Sequence, residues 1–270
     1  MYKSKILDCI TFFDNNYMFD LRYNILSNYV DYFVICESKF DHKGNPKKKN
    51  FIEKKNYDPK KIKYFLIDKP FPKNTNRWEN QAIQRENLLN LTNFADPDDY
   101  IFFSDPDEIM RPEYLINFSL KKKYGIFLQD CFNYKFNLFN SHESPWEGTR
   151  VSKKKNLKSI DFMRQNIKSK NLKYNFLRID KEKNIELFNN GGWHFNNILS
   201  PSEISLKLKT FAHSEFSHPE FYNIEIIREK INKKIDLFDR GHKYQVVNLN
   251  ENFPHFLLKN KEKFKDFLLV

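Results

Sequence analysis

The chain has 270 residues, is 40% hydrophobic and 17% aromatic, and carries a formal net charge of +11. This length and apolar content fit one large packed domain or two small ones and exclude a disordered chain. No run approaches the roughly 20 apolar residues of a bilayer span, and three widely spaced cysteines, Cys9, Cys36 and Cys131, make neither a disulfide framework nor a zinc pattern.

The first half alternates strand and helix signals. The segment KILDCITFF (5–13) reads as a buried strand, because Asp8 breaks its apolar run and no small-residue cleavage site follows. MFDLRYNILSNY (18–29) has helical spacing, and VDYFVICES (30–38) is a β-rich run of the kind a two-sided sheet requires. KIKYFLID (61–68) is a third strand. RWENQAIQRENLLNLTNF (77–94) is the clearest helix, and YIFFSD (100–105) is a fourth strand. This order predicts an α/β fold with a mainly parallel sheet flanked by helices, and a ligand at the carboxyl ends of its strands.

The second half is less regular. PEYLINFSLKKK (112–123) reads as a helix and YGIFLQDCFNYKFNLFN (124–140) as a long strand or hairpin. GGWHF (191–195) closes a strand-like segment. SPSEISLKLKTF (200–211) carries helix-start signals in Ser200, Pro201 and Glu203. HPEFYNIEIIREKIN (218–232) and the tail NKEKFKDFLLV (260–270) read as further helices. With no repeat and no Gly/Ser linker, residues 1–270 are expected to form a single domain. Within it residues 1–110 form one half, and residues 111–270, with the C-terminal helices, build the far wall of the cleft.

Chemistry concentrates in YIFFSDPDEIM (100–110), where Asp105, Asp107 and Glu108 follow a strand. Residues two apart in an extended chain point the same way. Two carboxylates aimed at one point repel unless a cation lies between them. Mg²⁺ and Mn²⁺ take oxygen ligands from one or two carboxylates and phosphate oxygens. Asp-x-Asp after a strand therefore predicts a divalent metal holding a diphosphate, with a charged turn as the plainer alternative. Glu108 can back up the metal, touch a sugar or cap the next helix.

Several blocks together resemble glycosyltransferase family 17, the family of β-1,4-mannosyl-glycoprotein N-acetylglucosaminyltransferases. They are DCITFFDNNYMFDLRYNIL (8–26), VDYFVICESKFDHKGNPK (30–47), QRENL (84–88), SDPDEIMRPE (104–113) and GGWHFNNILSPSEISLKLKTFAHSEF (191–216), in the family's order. Asn15, Asp41 and Met110 depart from its pattern. The resemblance implies a GT-A-like, Rossmann-type nucleotide-sugar domain. It also implies an inverting, metal-dependent transfer from a UDP-sugar, GlcNAc by family default, to a glycan or saccharide hydroxyl.

On that reading Asp105 and Asp107 hold Mn²⁺ or Mg²⁺ and the diphosphate, with His194 as the third ligand. Direct displacement needs a base for the acceptor proton; Glu215, Asp130 and Glu108 are the candidates. Glu37 would accept from uracil or ribose. Arg85 and Arg22 would reach the diphosphate or fix the carboxylates. His42, Lys47 and Arg150 lie in loops able to close over the donor. Lys207 and His213 would contact diphosphate, and Trp146 and Trp193 would stack on a sugar or fill the core.

The net charge leaves two rivals, a metal-dependent nuclease and a non-catalytic surface-binding module. The GGWH block has no role in a nuclease, so no nucleic-acid partner is expected. Without a span or secretory signal the chain is expected in a microbial or viral cytoplasm, with peripheral membrane contact through its basic loops left open.

Overall fold

A computed structural model describes residues 3–210 and 219–269. Strands β1 (Ile6–Phe12), β2 (Tyr32–Ser38), β3 (Ile62–Ile67) and β4 (Tyr100–Ser104) form one side of the sheet, ordered β4-β1-β2-β3 and all parallel. Helices α1 (Asn16–Leu26) and α2 (Arg77–Leu91) make two of the crossovers.

Burial explains why these runs are apolar on both faces. Ile6, Ile10 and Phe12 of β1, with Phe33, Ile35 and Phe102, pack in one core with α1. Leu7, Cys9, Val34, Cys36, Ile101 and Phe103 pack in a second core with Leu88 of α2. Alternate side chains thus feed opposite layers.

The mainly parallel expectation holds for these four strands, and the rest of the sheet is mixed. Beyond β4 the sheet continues through β8 (Trp146–Lys153), antiparallel to it, then β6 (Tyr124–Asn133), antiparallel to β8. The chain joins β6 to β8 through the short β7 (Leu138–Phe139) without a helical crossover, which permits antiparallel pairing. Strands β9 (Ile185–Phe188) and β10 (Gly192–Asn196) return parallel to β6. β10 also pairs antiparallel with β5 (Glu108–Met110), and β11 (Gln245–Val246) extends the edge beside β7.

The helix expected over 112–123 is a single 3₁₀ turn, Pro112–Leu115. Ile116 is already extended, with ψ of 113°, and Asn117 follows with a φ of +53°, so the helix does not resume, and Phe118 and Leu120 pack against the core from irregular chain. Helix α3 (Ile160–Asn166), capped by Ser159, joins the α2 layer. Helices α4 (Pro201–Thr210) and α5 (Ile224–Lys233) share a third core with Tyr134, Leu138 and Tyr244. The tail forms α6 (His255–Lys259) and a 3₁₀ run, Lys261–Phe267, against α1. Among the described residues no helix is long and apolar enough to cross a membrane.

Candidate active site

A cleft of about 340 Å³ opens where β1 and β4 end. The turn after β1 (Phe13, Asp14, Asn15) and His42 and Gln84 line one side. Asp105, Asp107 and His194 line the floor, Lys207 of α4 the roof, and Glu143, Trp146 and Arg240 the far wall.

The acid cluster is divided in its duties. Glu108 is fully buried, and all four of its lone-pair directions are used. It accepts from Arg164 Nη1 at 3.0 Å and Nη2 at 2.7 Å, from Trp146 Nε1 at 2.7 Å and from the Asp105 amide at 3.1 Å. That saturation removes it as a general base. Asp105 gives Oδ2 to Arg164 at 2.5 Å and places Oδ1 4.0 Å from Arg85. Burial pushes the Asp105 carboxyl up, but the Arg164 and Arg85 guanidiniums outweigh it and hold it below the usual range. Burial likewise opposes the charge on Arg164, and Asp105 and Glu108 overcome that and raise its pKa.

Asp107 is different. Among the described residues its carboxylate meets His194 Nε2 at 3.7 Å and Lys207 Nζ at 3.8 Å, with no closer side-chain partner. Its backbone carbonyl accepts from the Phe195 amide at 2.8 Å, which pins the loop to β10.

Arg164 went unnoticed in the sequence, although a signal exists. Ile160, Met163, Arg164 and Ile167 share one helical stripe, and the three apolar members are core. A lone arginine in such a stripe has to meet buried carboxylate.

Arg22 is equally buried. It donates from Nε and Nη2 to both oxygens of Asp8, from Nη2 to Ser104 Oγ and from Nη1 to the Glu108 carbonyl. It therefore fixes the cluster from beneath and does not line the cleft. Arg85 also binds Asp161 at 2.9 Å, so it too braces the carboxylates.

Other expectations move. Glu37 is fully buried and accepts from Lys47 Nζ, the Asn50 and Phe51 amides and Tyr64 Oη, which leaves no lone pair for uracil or ribose. Lys47 is thereby tied down. Arg150 sits inside β8, buried, donating to the carbonyls of Glu147, Gly148 and Ile167, not in a mobile loop. Asp130 lies on the face of β6 opposite Cys131, outside the cleft, where burial raises its carboxyl and Arg111 lowers it. Trp193 is core, donating to the Asn252 carbonyl, whereas Trp146 lies tilted against His194, with ring centroids 4.8 Å apart. The glycine before Trp193 serves a strand: Gly192 has a φ of +139°, and a Cβ there would meet the Ile109 carbonyl at 2.1 Å. Glu215 and His213 lie outside the described residues.

His42 does line the cleft. Gln84 donates its amide to the Phe12 and Cys36 carbonyls, so its Oε1 accepts from His42 Nε2 at 3.0 Å. Burial lowers the His42 pKa first, and Arg85 lowers it further. Asp14, beside it, is raised by burial and by Glu203 and Glu37, against the pull of Lys47.

Glu143 is the acid of the far wall, and the sequence did not single it out. Arg240 Nη1 at 2.7 Å, Asn140 Nδ2 at 2.8 Å and Cys131 Sγ at 3.8 Å reach it, which leaves one lone-pair direction open. Its side chain is 18% exposed. Cys131 is also 3.7 Å from His194 Nδ1, so the floor and the far wall meet at this thiol.

A metal held by protein alone does not fit: among the described residues no three His, Cys, Asp or Glu side chains are grouped to hold one. Asp107, with unfilled oxygens and an imidazole close by, fits a cation shared with phosphate oxygens, which needs only one or two carboxylates. Asp105, engaged by Arg164, fits that role poorly.

A cleft at the carboxyl edge of parallel strands, lined by carboxylates, imidazoles and a lysine, is that of an α/β enzyme. Residues 1–270 match the family model of Glycosyltransferase family 17, and the chain belongs to that family. It is a glycosyltransferase, with a sugar donor and an acceptor as its substrates. A comparison with curated proteins finds no match.

Proposed function

We propose that this enzyme is an inverting, metal-dependent transferase of GT-A-like architecture. It moves a sugar, GlcNAc by family default, from a UDP-sugar to a glycan or saccharide hydroxyl. The observation carrying this reading is Asp107, a carboxylate with unfilled oxygens beside His194 and Lys207, in a cleft at the carboxyl ends of parallel strands.

The nucleotide lies along the β1 turn and His42, and its diphosphate lies towards Lys207 and Asp107. Asp107, with His194, holds Mn²⁺ or Mg²⁺. When bound, the cation supplies positive charge against the leaving diphosphate. Lys207 adds a donor to the same oxygens. Arg164 and Arg85 hold the Asp105 carboxyl below its usual range, and Arg164 and Arg22 fix Glu108 in place, so the strand end is preorganised.

The acceptor oxygen attacks the anomeric carbon, the bond to phosphate oxygen breaks, and UDP leaves with the bonding pair. Glu143 takes the hydroxyl proton through its open lone pair. Glu143→Gln is expected to lower kcat about 10²- to 10⁴-fold, with UDP affinity kept. Loss confined to Glu215→Gln would move the base to that residue.

Calorimetry with UDP, with and without Mn²⁺, followed by a nucleotide-sugar hydrolysis screen, tests the whole reading. Mn²⁺-dependent UDP binding supports it. Salt-sensitive binding of duplex DNA with no UDP binding would sink it in favour of a nuclease.

A further inference from the structure

Between α3 and β9 the chain leaves the sheet and carries the three most exposed large hydrophobic side chains among the described residues. Phe176 is 80% exposed, Leu177 71% and Ile179 94%. Leu172, just upstream, is 41% exposed. Single exposed apolar residues are ordinary, but four within eight positions form a patch that water disfavours.

The segment is ordered around that patch. Ser169 donates from its amide and hydroxyl to Glu147, and Asn171 donates to the Asn166 carbonyl at 2.7 Å. At the tip, Asn175 Oδ1 accepts from the Leu177 amide at 3.0 Å and the Asn175 carbonyl from the Arg178 amide at 3.0 Å. The tip thus projects on a hydrogen-bonded turn whose base is rooted beside α3.

A basic collar flanks it in sequence. Residues 170–183 contain Lys170, Lys173, Arg178, Lys181 and Lys183 against Asp180 and Glu182, a formal +3, whereas Lys168 is half-buried beside Arg150 and Arg164. Lys123 binds Glu182 at 3.2 Å, which brings the Lys-rich 121–123 loop alongside. Asp180 takes up part of the charge of Arg178 and Lys181. Apolar residues at a tip with cations behind them complement one kind of surface: acyl chains beneath anionic headgroups. A protein partner would match the apolar tip but gives no reason for the collar.

We infer that the 168–183 segment docks this enzyme on an anionic lipid surface, with Phe176, Leu177 and Ile179 entering the headgroup–acyl boundary. The inference is independent of which sugar is transferred.

The test is co-sedimentation of the full chain with vesicles of phosphatidylcholine alone and of phosphatidylcholine mixed with phosphatidylserine. Binding is expected to be about tenfold or more stronger on the anionic vesicles and to weaken with added salt. The combined Phe176→Ser, Leu177→Ser and Ile179→Ser variant should lose about tenfold or more of that binding while its nucleotide-sugar hydrolysis is unchanged. Lys170→Glu with Lys173→Glu should weaken it as well. A Phe176→Trp variant should shift its emission to the blue on anionic vesicles and be quenched by brominated acyl chains. Equal binding to both vesicle types, or none, overturns the inference. So does full binding by the triple serine variant, which would leave only charge adsorption elsewhere. Self-association that the serine substitutions abolish, without vesicle binding, would assign the patch to a second copy of the chain.

Discussion

The floor of the cleft and its far wall are built from the same residue types and behave differently. On the floor, Asp8, Asp105 and Glu108 are met by Arg22, Arg85 and Arg164 at buried, largely saturated contacts. Across the cleft Glu143 keeps an open lone pair, and on the floor itself Asp107 is the exception, with unfilled oxygens. Charge in a site is thus of two sorts: charge spent on holding the strand ends, and charge left for a ligand. Substitutions should separate them, the first sort costing stability and the second activity.

The sharpest break of that division comes from Arg22→Ala. The Arg22 and Asp8 side chains are both 0% exposed, so the variant strands a buried carboxylate and should lose about 3–5 kcal/mol in denaturant unfolding. Asp107→Asn should do the reverse. Turnover is expected to fall about 10²- to 10³-fold, with unfolding free energy within about 0.5 kcal/mol of the parent. A destabilised Asp107 variant with normal turnover would place Asp107 with the braced carboxylates.

Acid separates the two sorts by titration. Unfolded, Asp105 binds its proton near the ordinary value of 3.8; folded, it binds only at lower pH. Its contribution to stability is therefore complete above 3.8 and lost as pH falls through the lower folded value. His42 is held below its ordinary 6.5, so the unfolded chain takes a proton there that the folded chain refuses. Unfolding free energy should start to decline as pH drops below about 6.5 and decline again below about 3.8. His42→Gln should remove the first decline and spare the second.

How much of this was legible in the sequence follows the same line. Strands buried on both faces, such as ILDCITF, where Thr11 alone is part-exposed, and YIFFS, announce themselves by composition. The carboxylates after β4 were legible because three acids within four positions demand partners. Who those partners are was not. Arg164 is 56 residues from Glu108, and only the fold brings them together. Glu37 showed the opposite failure: an acid at a strand end looks like a ligand until Tyr64, Lys47 and two amides are seen to close around it. Asp130 and Asp107 look alike in sequence, but Asp130 sits on the face of β6 turned away from the cleft, whereas Asp107 lies in the turn between β4 and β5 that lines it. Periodicity misled over 112–123, where an extended Ile116 and then Asn117 in a left-handed conformation leave one turn and a loop in place of a helix.

The finest test uses α2, which touches both sorts. Its N-cap, Asn76, accepts from the Trp78 and Glu79 amides, while Glu79 Oε2 accepts from the Asn76 amide at 2.7 Å. Two turns on, the same helix carries Gln84, which sets His42, and Arg85, which braces Asp105. Asn76→Ala should cost about 1 kcal/mol of stability, the usual loss for a removed cap. The cap frays the first turn, but Gln84 and Arg85 stay anchored by the strand carbonyls and by Asp161. Turnover at a temperature well below unfolding should therefore match the parent. A fall in turnover larger than the loss of folded protein would mean that the first turn of α2 sets the cleft. Floor and wall would then be one mechanical unit, and stability and activity could not be separated there.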